Sequence, residues 1–195
     1  MSELLTPSQT VGPYFAMRLP WADGPFVVPP GTENAITITG RLTDGAGDPI
    51  PDGLIETWQA NPAGRFAHPD DPRGPVAGGD RAFRGFGRCE TARDGSFTIV
   101  TLKPGRVPSG DDGGDQAPHI DVSVFSRGML DRSVTRIYFA DEESANAADP
   151  VLERVPAARR GTLLAVPYDD GTATPGLYRF DIRMQGDQET VFFEL

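Results

Sequence analysis

The residues best suited to chemistry lie in one short stretch, where His119 and Asp121 stand two positions apart. Ile120, Val122 and Val124 alternate with them, which predicts a strand with one apolar face. Side chains two apart on a strand share a face, so the pair could ligate a metal ion or form hydrogen bonds with its neighbours. The residue types alone leave both alternatives open.

A metal site on this strand would need further donors. Non-haem Fe(II) oxygenases bind iron through two histidines and one carboxylate. The chain has two histidines. The other one, His68, precedes the strand and lies in a loop rich in Pro, Asp and Gly. In such triads the second histidine normally follows the His-x-Asp pair, so this alternative requires an unusual arrangement.

Composition excludes several classes of partner. The net charge of −10 argues against nucleic acid and anionic membranes, which both need clustered Lys and Arg. The single cysteine, Cys89, excludes an intrachain disulfide and fits a reducing compartment. The sequence shows neither a basic leader nor a long apolar run, so we expect a soluble, cytoplasmic protein.

The elements that position these residues are predicted to be strands. The 195 residues, of which 38% are hydrophobic, suffice for one core. Alternating patterns predict strands at residues 35–43, 54–60, 96–101, 118–126, 134–140, 162–168, 177–184 and 190–194. Residues 142–155 have a helical pattern that Pro150 interrupts, so we expect one or two short helical turns. The pattern predicts an all-β sandwich of mixed or antiparallel strands with long loops.

The chain divides into an extended arm, residues 1–34, and a sandwich domain, residues 35–195. The arm is broken by prolines and glycines but is too apolar for a free tail, so it should lie across a surface, either its own or a partner's. Residues 61–86 and 103–117 form loops longer than ordinary hairpin connections. Long loops on a sandwich usually carry function.

Short motifs along nearly the whole chain share their order with one enzyme family. They are residues 6–14 (TPSQTVGPY), 56–61 (ETWQAN), 64–66 (GRF), 86–88 (FGR), 103–105 (KPG), 118–121 (PHID), 136–139 (RIYF) and 178–183 (YRFDIR). On these motifs the chain resembles the intradiol ring-cleaving dioxygenases, which have this all-β fold. The resemblance implies an activity that inserts O₂ into an aromatic diol.

The chain departs from the family at the metal ligands. The resemblance implies a ferric ion held by two tyrosinates and two histidines, and the matching positions here are Phe66, Val107, His119 and Asp121. Phe66 and Val107 offer no donor atom, and the phenolates that favour ferric iron are missing. We therefore expect these positions to be degenerate, with no metal on this chain and His119 hydrogen-bonded to loop backbone or to Asp121.

This pattern resembles the alpha subunit of the two-subunit family members. There a homologous beta subunit binds the Fe(III), and αβ units assemble into a larger hetero-oligomer. The resemblance implies that the complex cleaves protocatechuate with O₂ to 3-carboxy-cis,cis-muconate, a reaction of aromatic catabolism through β-ketoadipate. No residue of this chain would then be catalytic alone.

The resemblance also implies a substrate-binding role for Thr10, Gly12, Pro13 and Tyr14, which would form one wall of the partner's pocket, and for Arg127, which would reach toward it. A Gly-Pro pair lets backbone approach a planar ring without side-chain clash. A guanidinium suits a benzoate carboxylate. The alternative for Arg127 is a surface ion pair.

A second function is compatible with the same fold. A non-catalytic binding or assembly module of transthyretin-like character would also lack iron. The retained arm motif argues against it, because an assembly module has no need of that sequence.

Overall fold

The structure, a computed structural model, describes residues 7–10, 12, 15–71, 73, 83–110, 114–172, 174 and 176–194. Its strands are Ala35–Thr43 (β1), Leu54–Trp58 (β2), Phe86–Glu90 (β3), Ser96–Leu102 (β4), Val107–Pro108 (β5), Asp115–Gln116 (β6), His119–Phe125 (β7), Ser133–Phe139 (β8), Leu164–Pro167 (β9), Leu177–Arg179 (β10) and Ile182–Arg183 (β11). The helices are Phe15–Arg18 (α1), Glu143–Ala147 (α2) and Pro150–Arg154 (α3), with a 3₁₀ turn at Arg160–Leu163. Within the described ranges, no helix is long and apolar enough to cross a membrane.

The strands form a mixed sandwich, which confirms the predicted fold class. The order is β11-β1-β10-β9-β8-β7-β2-β3, and β4 lies off this path and also pairs with β1. The β1–β10 and β8–β9 pairs are parallel, whereas the β1–β4, β2–β3, β2–β7 and β7–β8 pairs are antiparallel. The short β5–β6 hairpin stands apart.

A segment of the arm closes the seam between β3 and β4. The Gly24 carbonyl accepts the N–H of Arg88 on β3 at 2.8 Å, and the N–H of Val27 donates to the Val100 carbonyl on β4 at 2.8 Å. Val27 and Val28 are buried at 0% and 1% exposure. The end of the arm is thus part of the sandwich, although the sequence-based boundary at residue 34 placed it outside.

The apolar side chains of each strand meet between the layers. On β7, Ile120, Val122 and Val124 all lie in the main core, as their alternation predicts. Each such buried side chain stabilises the fold by about 1.5–3 kcal/mol. A second cluster, around Tyr138 and Leu152, packs α3 against β8.

The helical region has the predicted form. α2 ends before Pro150, and α3 begins with that proline behind the cap residue Asp149, whose side chain accepts two backbone N–H groups. Proline at the first helical position after a capping aspartate is a favoured start. Pro150 therefore both breaks the region and opens α3. The arm helix α1 was not predicted.

Several strand predictions were wrong in detail. Residues 177–184 form two strands, β10 and β11. Between them the Phe180 carbonyl lies over Gly40, where a Cβ atom would come within 1.8 Å of the oxygen. Residues 190–194 make only a bridge between Phe193 and Val134. The β5–β6 hairpin lies inside the predicted loop 103–117, and β3 begins at Phe86, the last residue of the predicted loop 61–86, where no strand was predicted.

Candidate functional site

The predicted functional pair lies on the face of the β3-β2-β7-β8 sheet that points away from the main core. In register, His119 pairs with Tyr138 and Asp121 with Arg136 on the neighbouring strand β8. Paired residues on one face have their side chains within contact distance. The fold therefore brings together an imidazole, a phenol, a carboxylate and a guanidinium. Sequence reasoning identified the imidazole and the carboxylate as site residues but not the phenol and the guanidinium.

His119 is buried, at 4% exposure, and its ring packs against Tyr138 with 5.6 Å between centroids. Its Nδ1 lies 2.7 Å from the carbonyl oxygen of Ala117. A carbonyl only accepts, so Nδ1 carries the proton and donates. Burial, and then the nearby guanidinium of Arg136, lower the pKa of His119 below its usual value. The side chain is thus a neutral donor to loop backbone.

Arg136 supplies the positive charge of this site. Its Nε lies 2.9 Å from Asp121 Oδ1, and its Nη1 donates to Gln116 Oε1 at 2.7 Å and to the Tyr138 hydroxyl at 3.3 Å. The guanidinium is permanently charged and provides five donors. The carboxylate of Asp121 therefore already has a cation beside it.

The two positions without donors lie in the same neighbourhood. The Phe66 ring stacks on Trp58, with centroids 6.0 Å apart and planes 8° apart, and Trp58 is the register partner of Asp121. Val107 is buried and pairs with Gln116, whose side chain contacts the guanidinium described above. Apolar packing takes the place that donor atoms would occupy in a metal site.

Two glycines bring the loops that carry these positions together. Asn61 accepts the N–H groups of Gly64 and Gly105 at 2.8 and 3.0 Å through its backbone oxygen. A Cβ atom on Gly64, whose φ is +72°, would lie 1.9 Å from the Arg106 carbonyl oxygen, and one on Gly105 would lie 2.3 Å from that of Pro62. The backbones are in contact, so both motifs require glycine.

These residues do not fit the ferric site of the family. Of the four matched positions only His119 and Asp121 carry donor atoms, and one binds backbone while the other binds Arg136. Among the described residues, no group of three or more His, Cys, Asp or Glu side chains could hold a metal ion. The Fe(II) triad has no support either, because His68 accepts a hydrogen bond within its own loop.

Asp149 connects the site to α3, and sequence reasoning missed it. Its carboxylate, 1% exposed, accepts the N–H of Ala117 at 2.7 Å and those of Val151 and Leu152 at 2.8 Å each, and the Tyr138 hydroxyl at 3.3 Å. Burial raises the pKa of Tyr138, so the phenol stays protonated and remains a donor. Asp149 thus joins the start of α3 to Ala117 on one side of His119 and to Tyr138 on the neighbouring strand.

A pocket of about 590 Å³ opens beside these positions on the same face. This volume is within the range of small-ligand sites. Its walls include Trp58, Phe86, Asp121, Arg136 and Phe193. The pocket combines aromatic walls with the ion pair between Asp121 and Arg136, whose two charges offset each other.

The described part of the arm contacts the turn between β7 and β8. The hydroxyl of Thr10 accepts the N–H of Gly128 at 3.2 Å, and the hydroxyl of Ser8 donates to Asp131 Oδ1 at 3.0 Å. The structure therefore brings Thr10 next to the turn that carries Arg127, although the two are far apart in sequence.

The other predicted substrate-binding residues are placed as follows. Arg127 Nη2 forms an ion pair with Asp52 Oδ2 at 2.9 Å, and the arginine side chain is 58% exposed. Gly12 has a φ of +66°, and a Cβ atom there would meet nothing within 4 Å. Pro13 and Tyr14 lie outside the described residues.

A pH-dependent stability follows from His119. Because the folded state favours the neutral imidazole, the unfolded chain binds more protons from pH 6.5 down to the lowered folded pKa. The free energy of unfolding should therefore fall as the pH drops through this window, by up to about 1.4 kcal/mol per pH unit. Urea unfolding of the purified chain above the carboxylate range of about pH 4 measures it.

His119→Asn is the matched variant, since the asparagine amide can replace the Nδ1 donor without titrating. It should flatten the pH dependence in this window. An unchanged slope in the variant would mean that His119 is not the responsible group.

Comparisons with known proteins agree with this architecture. The family model described as "Dioxygenase" matches residues 10–186. The chain is 45% identical over 203 residues to the protocatechuate 3,4-dioxygenase alpha chain of Burkholderia cepacia, covering 97% of each. It is 37% identical to the beta chain from the same organism, over 80% of this chain and 66% of that one. The solved catechol 1,2-dioxygenase of an Acinetobacter species has the same fold, with a TM-score of 0.61, 19% identity, and coverage of 81% of this chain and 55% of that one.

The chain therefore belongs to the intradiol ring-cleaving dioxygenase family, whose members are oxidoreductases that incorporate O₂. This confirms the resemblance inferred from the motifs. The likeness to the alpha chain extends over nearly the full length of both chains.

Proposed function

We propose that this chain is the iron-free alpha subunit of a protocatechuate 3,4-dioxygenase. Its partner is a homologous beta subunit that binds the Fe(III), and αβ units form a larger hetero-oligomer. The complex converts protocatechuate and O₂ to 3-carboxy-cis,cis-muconate. Full-length likeness to an alpha chain favours this function over a transthyretin-like module.

The observation that carries the proposal is the internal pairing at the matched ligand positions. Asp121 is bound to Arg136, His119 to backbone, and Phe66 to a tryptophan ring. The fold and the arm motif of the family are nevertheless present. This combination supports a subunit that has kept its structural role while the metal chemistry belongs to the homologous partner.

The arm and the 126–131 turn provide this chain's contribution to catalysis. The partner's ferric ion, when bound, makes the diol ring reactive toward O₂. Arg127 binds the substrate carboxylate through charge-assisted hydrogen bonds. Because Gly12 has no side chain, backbone can lie against the flat ring, and Thr10, Pro13 and Tyr14 complete this wall and exclude water.

The proposal also places the protein in the cytoplasm. Cys89 is a free, buried thiol, which is the form kept in reducing compartments. The aromatic substrate is a small diffusible acid, so no membrane partner is required.

Metal analysis tests the proposed division of labour. The chain purified alone should contain no stoichiometric iron, show no tyrosinate-to-iron colour and have no activity, because Phe66 and Val107 provide no phenolate. The complex with its beta partner should be coloured and active. Stoichiometric iron in the single chain would contradict the proposal.

A variant sharpens this experiment. His119→Asn in the alpha chain should leave the iron content of the complex unchanged, since this imidazole already binds backbone. Loss of iron from the assembled variant would show that the matched position still ligates.

A further inference from the structure

Asp52 lies on a surface turn whose backbone is held in place by Thr91. Its N–H donates to the Thr91 carbonyl at 3.3 Å. The buried Thr91 hydroxyl accepts the N–H of Gly53 and donates to the Ile50 carbonyl, each at 2.7 Å. Both ends of the turn are therefore bound to one residue of the neighbouring chain segment.

Arg127 lies on a less constrained turn. Among the described residues, one backbone–backbone bond closes it, from the N–H of Met129 to the carbonyl of Ser126 at 3.2 Å, and the φ of Gly128 is +85°. The arginine side chain is 58% exposed, whereas the Asp52 side chain is 27% exposed. A long, exposed arginine samples many rotamers, and restricting it before a ligand arrives improves binding.

We propose that Asp52 is a positioning residue for recognition of the substrate carboxylate. Its ion pair commits one nitrogen of Arg127, Nη2, at 2.9 Å and leaves the other donors of the guanidinium for the ligand. The same turn binds the Thr10 hydroxyl through Gly128 N–H. Asp52 thus holds the guanidinium beside the docked arm, so that both reach the substrate together. This inference rests on the proposed function.

Two opposing effects determine whether removing the Asp52 carboxylate weakens or strengthens substrate binding. A carboxylate near the substrate would repel the substrate's own carboxylate, and its removal would then strengthen binding. The ion pair with Arg127 at 2.9 Å offsets much of the negative charge of Asp52, which weakens that repulsion. The loss of rotamer restriction should therefore exceed it, and substrate binding should weaken.

Asp52→Asn tests the inference in the assembled αβ complex. Asparagine tolerates the φ of +55° at this position, so the turn persists. The value of kcat/KM for protocatechuate should fall about two- to tenfold, mainly through KM, while that for catechol, which has no carboxylate, stays the same. Asp94→Asn, which breaks the exposed ion pair with Arg41, is the matched control and should change neither.

A double variant tests whether the two residues act as a unit. In an Arg127→Ala background, Asp52→Asn should cause no further loss. Equal losses for both substrates, a gain for protocatechuate, or an additive loss in the double variant would overturn the inference.

The outcomes also separate the inference from the proposed function. If Arg127→Ala discriminates between the substrates and Asp52→Asn does not, only the role of Asp52 is wrong. If Arg127→Ala does not discriminate, the proposed carboxylate site is wrong as well. Should Asp52→Asn fail to assemble, Asp52→Gly removes the carboxylate at the same φ and is subject to the same criteria.

Discussion

Replacing Arg127 with alanine is expected to lower kcat/KM for protocatechuate by about 10- to 100-fold while leaving that for catechol nearly unchanged. On the proposed function, Arg127 donates a charge-assisted hydrogen bond that contributes about 1.5–3 kcal/mol, and only protocatechuate has a carboxylate to receive it. Steady-state kinetics of the assembled complex with both substrates measures the effect.

Two further variants control this experiment. Arg127→Lys keeps the charge but loses the planar fork, so its loss should be intermediate. Arg41→Ala removes an arginine of similar exposure that pairs with Asp94, and should change neither substrate. A loss shared equally by the two substrates in Arg127→Ala would show that Arg127 only stabilises the structure.

Replacing Asp149 with alanine should lower the free energy of unfolding by about 3 kcal/mol. The change removes a helix cap, which contributes about 1 kcal/mol. It also leaves the buried N–H of Ala117 without its acceptor, at a cost of about 1–3 kcal/mol. For a chain of this size the melting temperature should fall by roughly 6–12 °C.

Asp169→Ala provides the matched control. Asp169 also accepts a backbone N–H, from Gly171 at 2.8 Å, but in an exposed turn. Surface substitutions of this kind usually change stability by less than about 0.5 kcal/mol. Equal melting temperatures for the two variants would mean that the Asp149 network contributes no more than a surface turn.

Much of the sandwich could be predicted because its signals are local. β1 has the predicted bounds. On β7, His119 and Asp121 lie on one face of the strand and Ile120 and Val122 on the other, as alternation requires. β3 escaped prediction because Gly87 and Arg88 interrupt any apolar pattern. The reason for Gly87 is tertiary, since a Cβ atom there would lie 2.7 Å from the Thr57 hydroxyl and 2.9 Å from Val27.

The site could be predicted only in part. The residue types at Phe66 and Val107 predict degenerate ligand positions, because a missing donor atom is visible in the sequence. That Arg136 compensates Asp121 depends on the pairing of β7 with β8, which no local pattern gives. The contact between Thr10 and the Gly128 turn is likewise a long-range feature.

The seam closed by Gly24–Val28 has a consequence for biosynthesis. These residues are synthesised well before the strands they join, β3 and β4, so the contacts are of high contact order. This earlier-made segment is thus among the last to be fixed. Until they return, the edges of β3 and β4 present unpaired backbone groups, which nascent copies or homologous chains can pair with instead.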